Sequence, residues 1–217
     1  MSARLNGRAL DELRDLARAQ PLARALARMT AALAGREGYL LWRGHALLPS
    51  EAGLPLVDAA AAERAPGELT LCDDPLAEAH GLRLAVAAGD EARGIEAGEL
   101  GLCVLALRCG LALRILDMSH RHLAERWSFG KKTLSHQLVK ASFSTVHAGL
   151  EQLREQARLR LEQGWLQGLE EEQRELSELT GQAEKLMGGH GYLQDGSHGV
   201  SYLSMLLYSV YGAECEA

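Results

Sequence analysis

Apolar residues recur along this chain with two different periods, and the change between them divides it. Leu10, Leu13, Leu16 and Ala17 fall three and four apart with charges between them, the spacing of an amphipathic helix over 8–19. Pro21 suits the first turn of a second helix over 21–34, which Gly35 ends; together they predict a short helical hairpin. From Gly38 to Gly94 prolines and glycines are frequent and the apolar runs are short: Tyr39-Leu-Leu-Trp42, Glu68-Leu-Thr-Leu-Cys72 and Leu82-Arg-Leu-Ala-Val86. These predict strands separated by turns, too few to stand without packing on the helices. Ala59–Arg64 is compatible with a helical turn or a loop.

Beyond Gly94 the pattern is helical throughout. Residues 96–128 are apolar on nearly every face (Leu100, Leu102, Val104, Leu105, Leu107, Leu111, Leu113, Ile115, Leu116), which places that helix at the centre of a bundle or in an interface. A more amphipathic helix is predicted over 134–164. A third, over 166–187, carries Glu170, Glu171, Glu172, Glu175 and Glu178 as a solvated face. The glycines of Gly188-Gly189-His190-Gly191 predict a loop, and Val200, Leu203, Leu206, Leu207 and Val210 a fourth helix over 197–211. The expected architecture is therefore mainly α, a four-helix bundle over 95–217 with an appendage over 1–94 made of a helical hairpin and a few short strands. The first and fourth bundle helices carry more apolar positions than a chain of this size needs to bury, which predicts a homodimer or larger assembly.

Composition narrows the function classes. Of 217 residues, 47% are hydrophobic and 24% charged, a globular balance. A net charge of −6 argues against a general nucleic-acid binder. The Arg-rich first 36 residues resemble a targeting peptide, but Asp11, Glu12 and Asp15 and the lack of a Ser-rich bias count against one. No apolar run reaches membrane-spanning length. Cys72, Cys103, Cys109 and Cys215 have neither metal nor disulfide spacing, so the simplest compartment is the reducing cytoplasm.

The candidate chemistry gathers between Glu125 and Gln137. A helix ending near Ser128, a turn at Gly130 and a Thr or Ser start signal predict a helix–turn–helix corner. It holds Arg126, Lys131 and Lys132 with Trp127 and Phe129, and local chemistry alone leaves a solvated corner and a binding edge both open. His120 and His122, two apart on a helix, point to different faces and do not chelate one metal. His190 and His198 flank the glycine loop and could meet in space; they read as surface or capping residues. No metal site is expected.

Three groups of residues, at their mutual spacing, carry a resemblance: Leu116-Asp117; Arg126-Trp-Ser-Phe129-Gly130-Lys131 with Gln137 seven residues after the glycine; and Met187-Gly188-Gly189-His190-Gly191-Tyr192. From about Gly98 onwards the chain resembles the C-terminal helical domain of the acyl-CoA dehydrogenase family, flavoenzymes that desaturate acyl thioesters. The resemblance implies FAD in a cleft shared by two subunits. Arg126 would offer its guanidinium fork to the flavin pyrophosphate of a neighbouring subunit. Phe129 would pack near the cofactor, Gln137 would reach the adenine side, and Gly188 and Gly189 would let backbone approach the dinucleotide. Lys185 stands where the family has a glutamine.

The resemblance also implies a carboxylate that takes the substrate's alpha proton. Its two family positions fall here on Leu100 and Gly212, neither of them an acid. Glu99 and Glu214 are the nearest carboxylates. Glu99 would need a helical irregularity to substitute, and Glu214 sits with Glu216 in a terminal tail. Asp195 suits helix N-capping. The 95 or so residues ahead of the bundle leave no room for both the helical and the barrel domain of a family enzyme, and they show no resemblance of their own. The reading is a truncated acyl-CoA dehydrogenase-like subunit lending flavin contacts to a homodimer or to a full-length partner acting on an acyl thioester. A scaffold that has lost FAD, and a self-sufficient flavoenzyme with a displaced base, are the alternatives.

Overall fold

A computed structural model describes residues 5–51, 53–58, 63–64, 69–87, 94–193 and 196–212. Helix α1 (Gly7–Ala19) begins at Asn6, whose side chain accepts the Ala9 N–H at 3.0 Å, and α2 (Leu22–Ala34) ends on Gly35 at φ 72°. Strands β1 (Tyr39–Leu41), β2 (His45–Pro49), β3 (Leu56–Asp58), β4 (Glu63–Arg64) and β5 (Leu69–Cys72) follow, then the short helix α3 (Pro75–Ala79) and β6 (Leu82–Ala87). The bundle comprises α4 (Ala97–Ala124), α5 (Gln137–Gln163), α6 (Glu170–Met187) and α7 (Ser197–Leu207), the last running into a π turn, Tyr208–Gly212. A hairpin of β7 (Trp127–Ser128) and β8 (Lys131–Lys132) joins α4 to α5.

The three expected strands are present. Two more, β2 and β3, pair with them: β2–β6–β5 is antiparallel, while β1 runs parallel to β3, which β4 edges. Of Ala59–Arg64, residues 63–64 form β4 and 59–62 lie outside the described residues. The two small sheets are fastened to the bundle by the buried Tyr211, whose hydroxyl donates to Leu40 O (3.0 Å) and accepts from Leu47 N (2.9 Å).

Helix α4 is the axis of the molecule. Leu100, Leu102, Val104, Leu105, Leu107, Leu111 and Ile115 are all fully buried, because α1, α5, α6, α7 and the π turn pack around it. A helix apolar on every face needs such a sheath. The approach of α1 is closest at Gly110, where an added Cβ would lie 2.2 Å from Arg14 O. Arg18 then grips Asp117 with two bonds (2.7 and 2.8 Å). The apolar surplus expected to mark an interface is consumed inside the chain. Among the described residues α4 exposes no large hydrophobic side chain and α7 exposes Met205. Exposed large apolar residues instead include Trp127, Phe129 and Leu138 at the α4–α5 corner and Tyr192 and Leu193 after α6.

One polar residue sits at the centre. Arg108 of α4 is 1% exposed. Its guanidinium donates to Gln173 Oε1 (2.5 Å), Gln173 O (3.3 Å), Ser177 Oγ (2.7 Å) and Ser204 Oγ (3.0 Å), and lies 5.1 Å from the centre of the Tyr208 ring. Neutral dipoles and a ring thus solvate the charge and tie α4 to α6, α7 and the π turn. Burial lowers its pKa from the ordinary guanidinium range to about 10.

The helix boundaries differ from expectation where side chains reorganise the backbone. Helix α4 stops at Ala124 rather than near Ser128, because Phe129 (φ 50°) and Gly130 (φ 77°) are both left-handed and close a two-residue hairpin of type I′. Thr133–Ser135 form a 3₁₀ turn, so α5 starts at Gln137 rather than 134. Helix α6 starts at Glu170 rather than 166, because Arg160 donates to the carbonyls of Trp165, Gln167 and Gly168 and pairs with Glu172 at 2.6 Å. Gly188–Tyr192, expected as a loop, is a 3₁₀ turn.

Candidate functional site

The corner after α4 is a stiff hairpin. Thr133 donates to the Arg126 carbonyl twice, through N (2.9 Å) and Oγ1 (3.1 Å). His136 Nε2 donates to Ser128 O (3.1 Å), with Ser128 Oγ at 3.0 Å. Lys132 Nζ donates to Ala124 O (3.1 Å) and lies 5.4 Å from the Trp127 ring centre. This internal bonding holds two aromatics outward: Trp127 is 66% exposed and Phe129 97%. An aromatic in a left-handed conformation costs about 1–2 kcal/mol over a glycine, and Phe129 recovers only an edge contact with His136 at 6.2 Å. Gln137 is exposed in the first turn of α5.

The glycine turn after α6 comes to the same corner. His122 and His190 stack at 4.2 Å with rings 16° apart, and Arg126 Nη1 donates to His122 Nε2 at 3.0 Å. His122 therefore carries its proton on Nδ1 and is neutral. Burial, with the neighbouring His190 and Arg126, holds it below its ordinary 6.5, against the pull of Glu125. His190 thus meets His122 and not His198, which lies against Tyr192 (5.0 Å) and Glu184 (3.6 Å). Gly188 adopts φ 56°, ψ −148°, a region open in practice to glycine alone. At both Gly188 and Gly189 a built Cβ would meet nothing within 4 Å, which leaves space for another molecule's approach. Lys185 is exposed in the last turn of α6. No His/Cys/Asp/Glu cluster among the described residues could hold a metal ion.

A second feature lies at the other end of α4. A cleft of about 410 Å³, open solvent included, is lined by Gly98 and Gly101 of α4, Tyr211 and Gly212 of the π turn, Trp42, Arg43 and Glu170. Leu100 is fully buried beside it, and a Cβ on Gly212 would sit 3.1 Å from Val104 Cγ1. Leu100 and Gly212, the two positions at which the resemblance implies a base, thus both lie at this end of α4. Glu99 is half-buried on α4 and is not part of the lining; Glu214, Glu216 and Asp195 lie outside the described residues. Glu170, the carboxylate of the lining, is exposed as the solvated acidic face predicts, whereas Glu172 of that face is buried against Arg160. Sequence reasoning missed Arg43, which takes φ 49° and sits 5.5 Å from the Trp42 ring centre. Burial pushes the Tyr211 hydroxyl above its ordinary range and the Cys109 thiol up to about 12, so neither supplies a base or a nucleophile.

These two places cannot serve one active site within one chain. Helix α4 has 28 residues and so separates its ends by ~42 Å, farther than an extended dinucleotide cofactor reaches.

No protein-family model matches the chain, and no curated protein does either. Solved structures do match. The glutaryl-coenzyme A dehydrogenase in its glutaryl-CoA complex superposes with TM-score 0.53 at 20% identity over 81% of this chain and 57% of its own. Butyryl-CoA dehydrogenase from Megasphaera elsdenii gives 0.51 at 15% identity over 82% and 60%. The chain therefore has the acyl-CoA dehydrogenase-like fold and spans less than two thirds of those dehydrogenases. FkbI, for biosynthesis of the methoxymalonyl extender unit of Fk520, gives 0.56 at 12% identity over 96% of this chain and 82% of its own. That match takes in the front of the chain, where the sequence shows no resemblance. Among the described residues no helix is long and apolar enough to cross a membrane.

Proposed function

We propose that this chain is an acyl-CoA dehydrogenase-like subunit that lends its bundle to a flavin site completed by a second subunit, either a copy of itself or a full-length relative. The observation that carries this is the length of α4. Arg126, Phe129, Gln137, Lys185, Gly188 and Gly189 lie at or beside one end of the bundle and the vacant base positions, Leu100 and Gly212, lie at the other, so the corner serves a centre outside its own chain. The residues fit FAD: an exposed guanidinium for the pyrophosphate, an aromatic presented outward, and glycines with open space in front of them. Bound FAD would accept the hydride in acyl-thioester oxidation. This chain's own part is to bind and orient phosphate and adenine, in a reducing, cytoplasmic setting that suits its thiols.

Purified protein reconstituted with FAD tests this reading. Visible flavin absorbance should persist through desalting of a dimer seen by light scattering, and Arg126→Ala should weaken retention by about 1.5–3 kcal/mol, against under about 1 for a solvated pair. The isolated chain should show no acyl-CoA dehydrogenase turnover, because a positioned base is worth typically ~10²–10⁴ in rate, and a full-length partner should restore it. A colourless monomer after reconstitution with FAD and with such a partner would leave the scaffold reading. Turnover by the isolated chain, abolished by Glu99→Gln or Glu214→Gln, would instead identify a displaced base.

A further inference from the structure

We infer that His122 and His190 form a proton-operated latch: with both rings neutral the Gly188–Tyr192 turn is held against the end of α4 and Arg126 is tethered, and protonation releases both. The inference holds whether or not a flavin binds. It starts from the bond between Arg126 Nη1 and His122 Nε2 (3.0 Å). A guanidinium only donates, so His122 must offer a lone pair there. Once Nε2 carries a proton, the same contact sets two donors and two positive charges against each other. The stack adds to this, since two rings 4.2 Å apart cannot both become cationic without like-charge repulsion.

The surrounding charges decide the direction. Glu125 and the negative end of the α4 dipole favour protonated His122. Arg126, His190 and the ring's burial oppose it, and together they prevail. Arg121 belongs to the last turn of α4 and Lys185 to the last turn of α6. From α7, His198 faces Glu184 at 3.6 Å, beyond the Tyr192 ring. A base held below its free value of 6.5 disfavours the closed state once protons bind. The contribution of the latch is therefore fully present above about pH 6.5 and is lost progressively as pH falls from there through the lower value at which the stacked His122 titrates.

The turn is built to respond locally. Its first two glycines have no side chains and face open space, and His190, Tyr192 and Leu193 are exposed. Segments with so few apolar contacts open at low cost while the core stays closed. Protonation of His122 Nε2 would also free Nη1 of Arg126, so the number of donors it offers to an anion becomes a function of pH.

The experiment pairs two measurements on the whole chain from about pH 8 to about pH 5, the range in which histidine titrates. Ring-carbon NMR follows His122 and His190. Amide exchange, expressed as protection relative to intrinsic rates, follows Gly188–Tyr192. His122 should titrate below 6.5, and protection of the turn should fall as it does, by about tenfold for each pH unit by which the titration lies below the free value. His190→Phe keeps an aromatic face on His122 and should flatten that dependence. Protection that stays constant across the range, ordinary titration of both rings, or an unchanged pH response in His190→Phe would each overturn the latch. If the variant does not fold, the agreement between titration and protection in the unmodified chain decides alone.

Discussion

The buried guanidinium of Arg108 makes a sharp prediction about which of its partners matters. A pKa lowered to about 10 means that burial weakens the charged form by about 3 kcal/mol relative to water, while the group still stays charged at neutral pH. That desolvation is offset chiefly by Gln173, which supplies two of the four acceptors around the guanidinium, one of them at 2.5 Å. Gln173→Ala therefore leaves a charge in the core short of its best partner, and should destabilise the protein by about 3–5 kcal/mol. Arg108→Met removes the charge and its desolvation together and leaves only neutral acceptors unpaired, so its cost should be smaller, about 1–3 kcal/mol. In the Arg108→Met, Gln173→Ala double variant little more should be lost than in Arg108→Met alone, giving a coupling close to the whole cost of Gln173→Ala, about 3–5 kcal/mol. Urea denaturation followed by circular dichroism reads all four proteins. Additive losses, or an Arg108→Met variant less stable than Gln173→Ala, would refute the reasoning. In that case the guanidinium would be stabilising the core by more than its burial costs.

Other outcomes follow from single contacts. Gly110→Ala puts a methyl 2.2 Å from Arg14 O and 2.9 Å from Ala17 Cβ; backbone must move, so the urea midpoint should fall by the equivalent of about 1–3 kcal/mol, and the α1–α2 hairpin should become the first target of limited proteolysis. Phe129→Asn places a residue that tolerates the left-handed region at the hairpin tip, and should raise stability by up to about 1 kcal/mol while weakening any flavin retention; a lower melting temperature would show that Phe129 packs against something within the chain.

Much of the helical frame was legible because burial is periodic. Leu10, Leu13 and Ala17 placed α1 within a residue, and the unbroken apolar surface of α4 announced a central helix. The same logic misjudged where that surface goes, since a list of apolar positions does not say whether the sheath comes from a neighbour or from the chain's own α1. The corner was legible in content and not in shape. A type I′ turn is signalled by Asn-Gly, whereas here Phe129-Gly130 and Arg43-Gly44 occupy such positions with residues that pay for the conformation locally, and the second of them hid β2 and the cleft. Arg108 was invisible for a related reason. One arginine inside an apolar run reads as a break in burial, and its partners lie 65 to 96 residues away. Glu170 belongs to the cleft only because Arg160 shapes the loop before it.

The hydroxyl of Tyr211 has a consequence for how the chain is made. Its two partners, Leu47 and Leu40, were synthesised 164 and 171 residues earlier, a delay of roughly 8–35 s at ordinary rates of translation. During that interval β1 and β2 lack their anchor, and until β3 and β6 are made their edges also expose backbone donors and acceptors. Contacts so distant in sequence are also the slowest to form once the chain is free. The front of this protein is thus the part that waits, and the stage at which a ribosome-associated chaperone would find the most to hold is before α7 emerges.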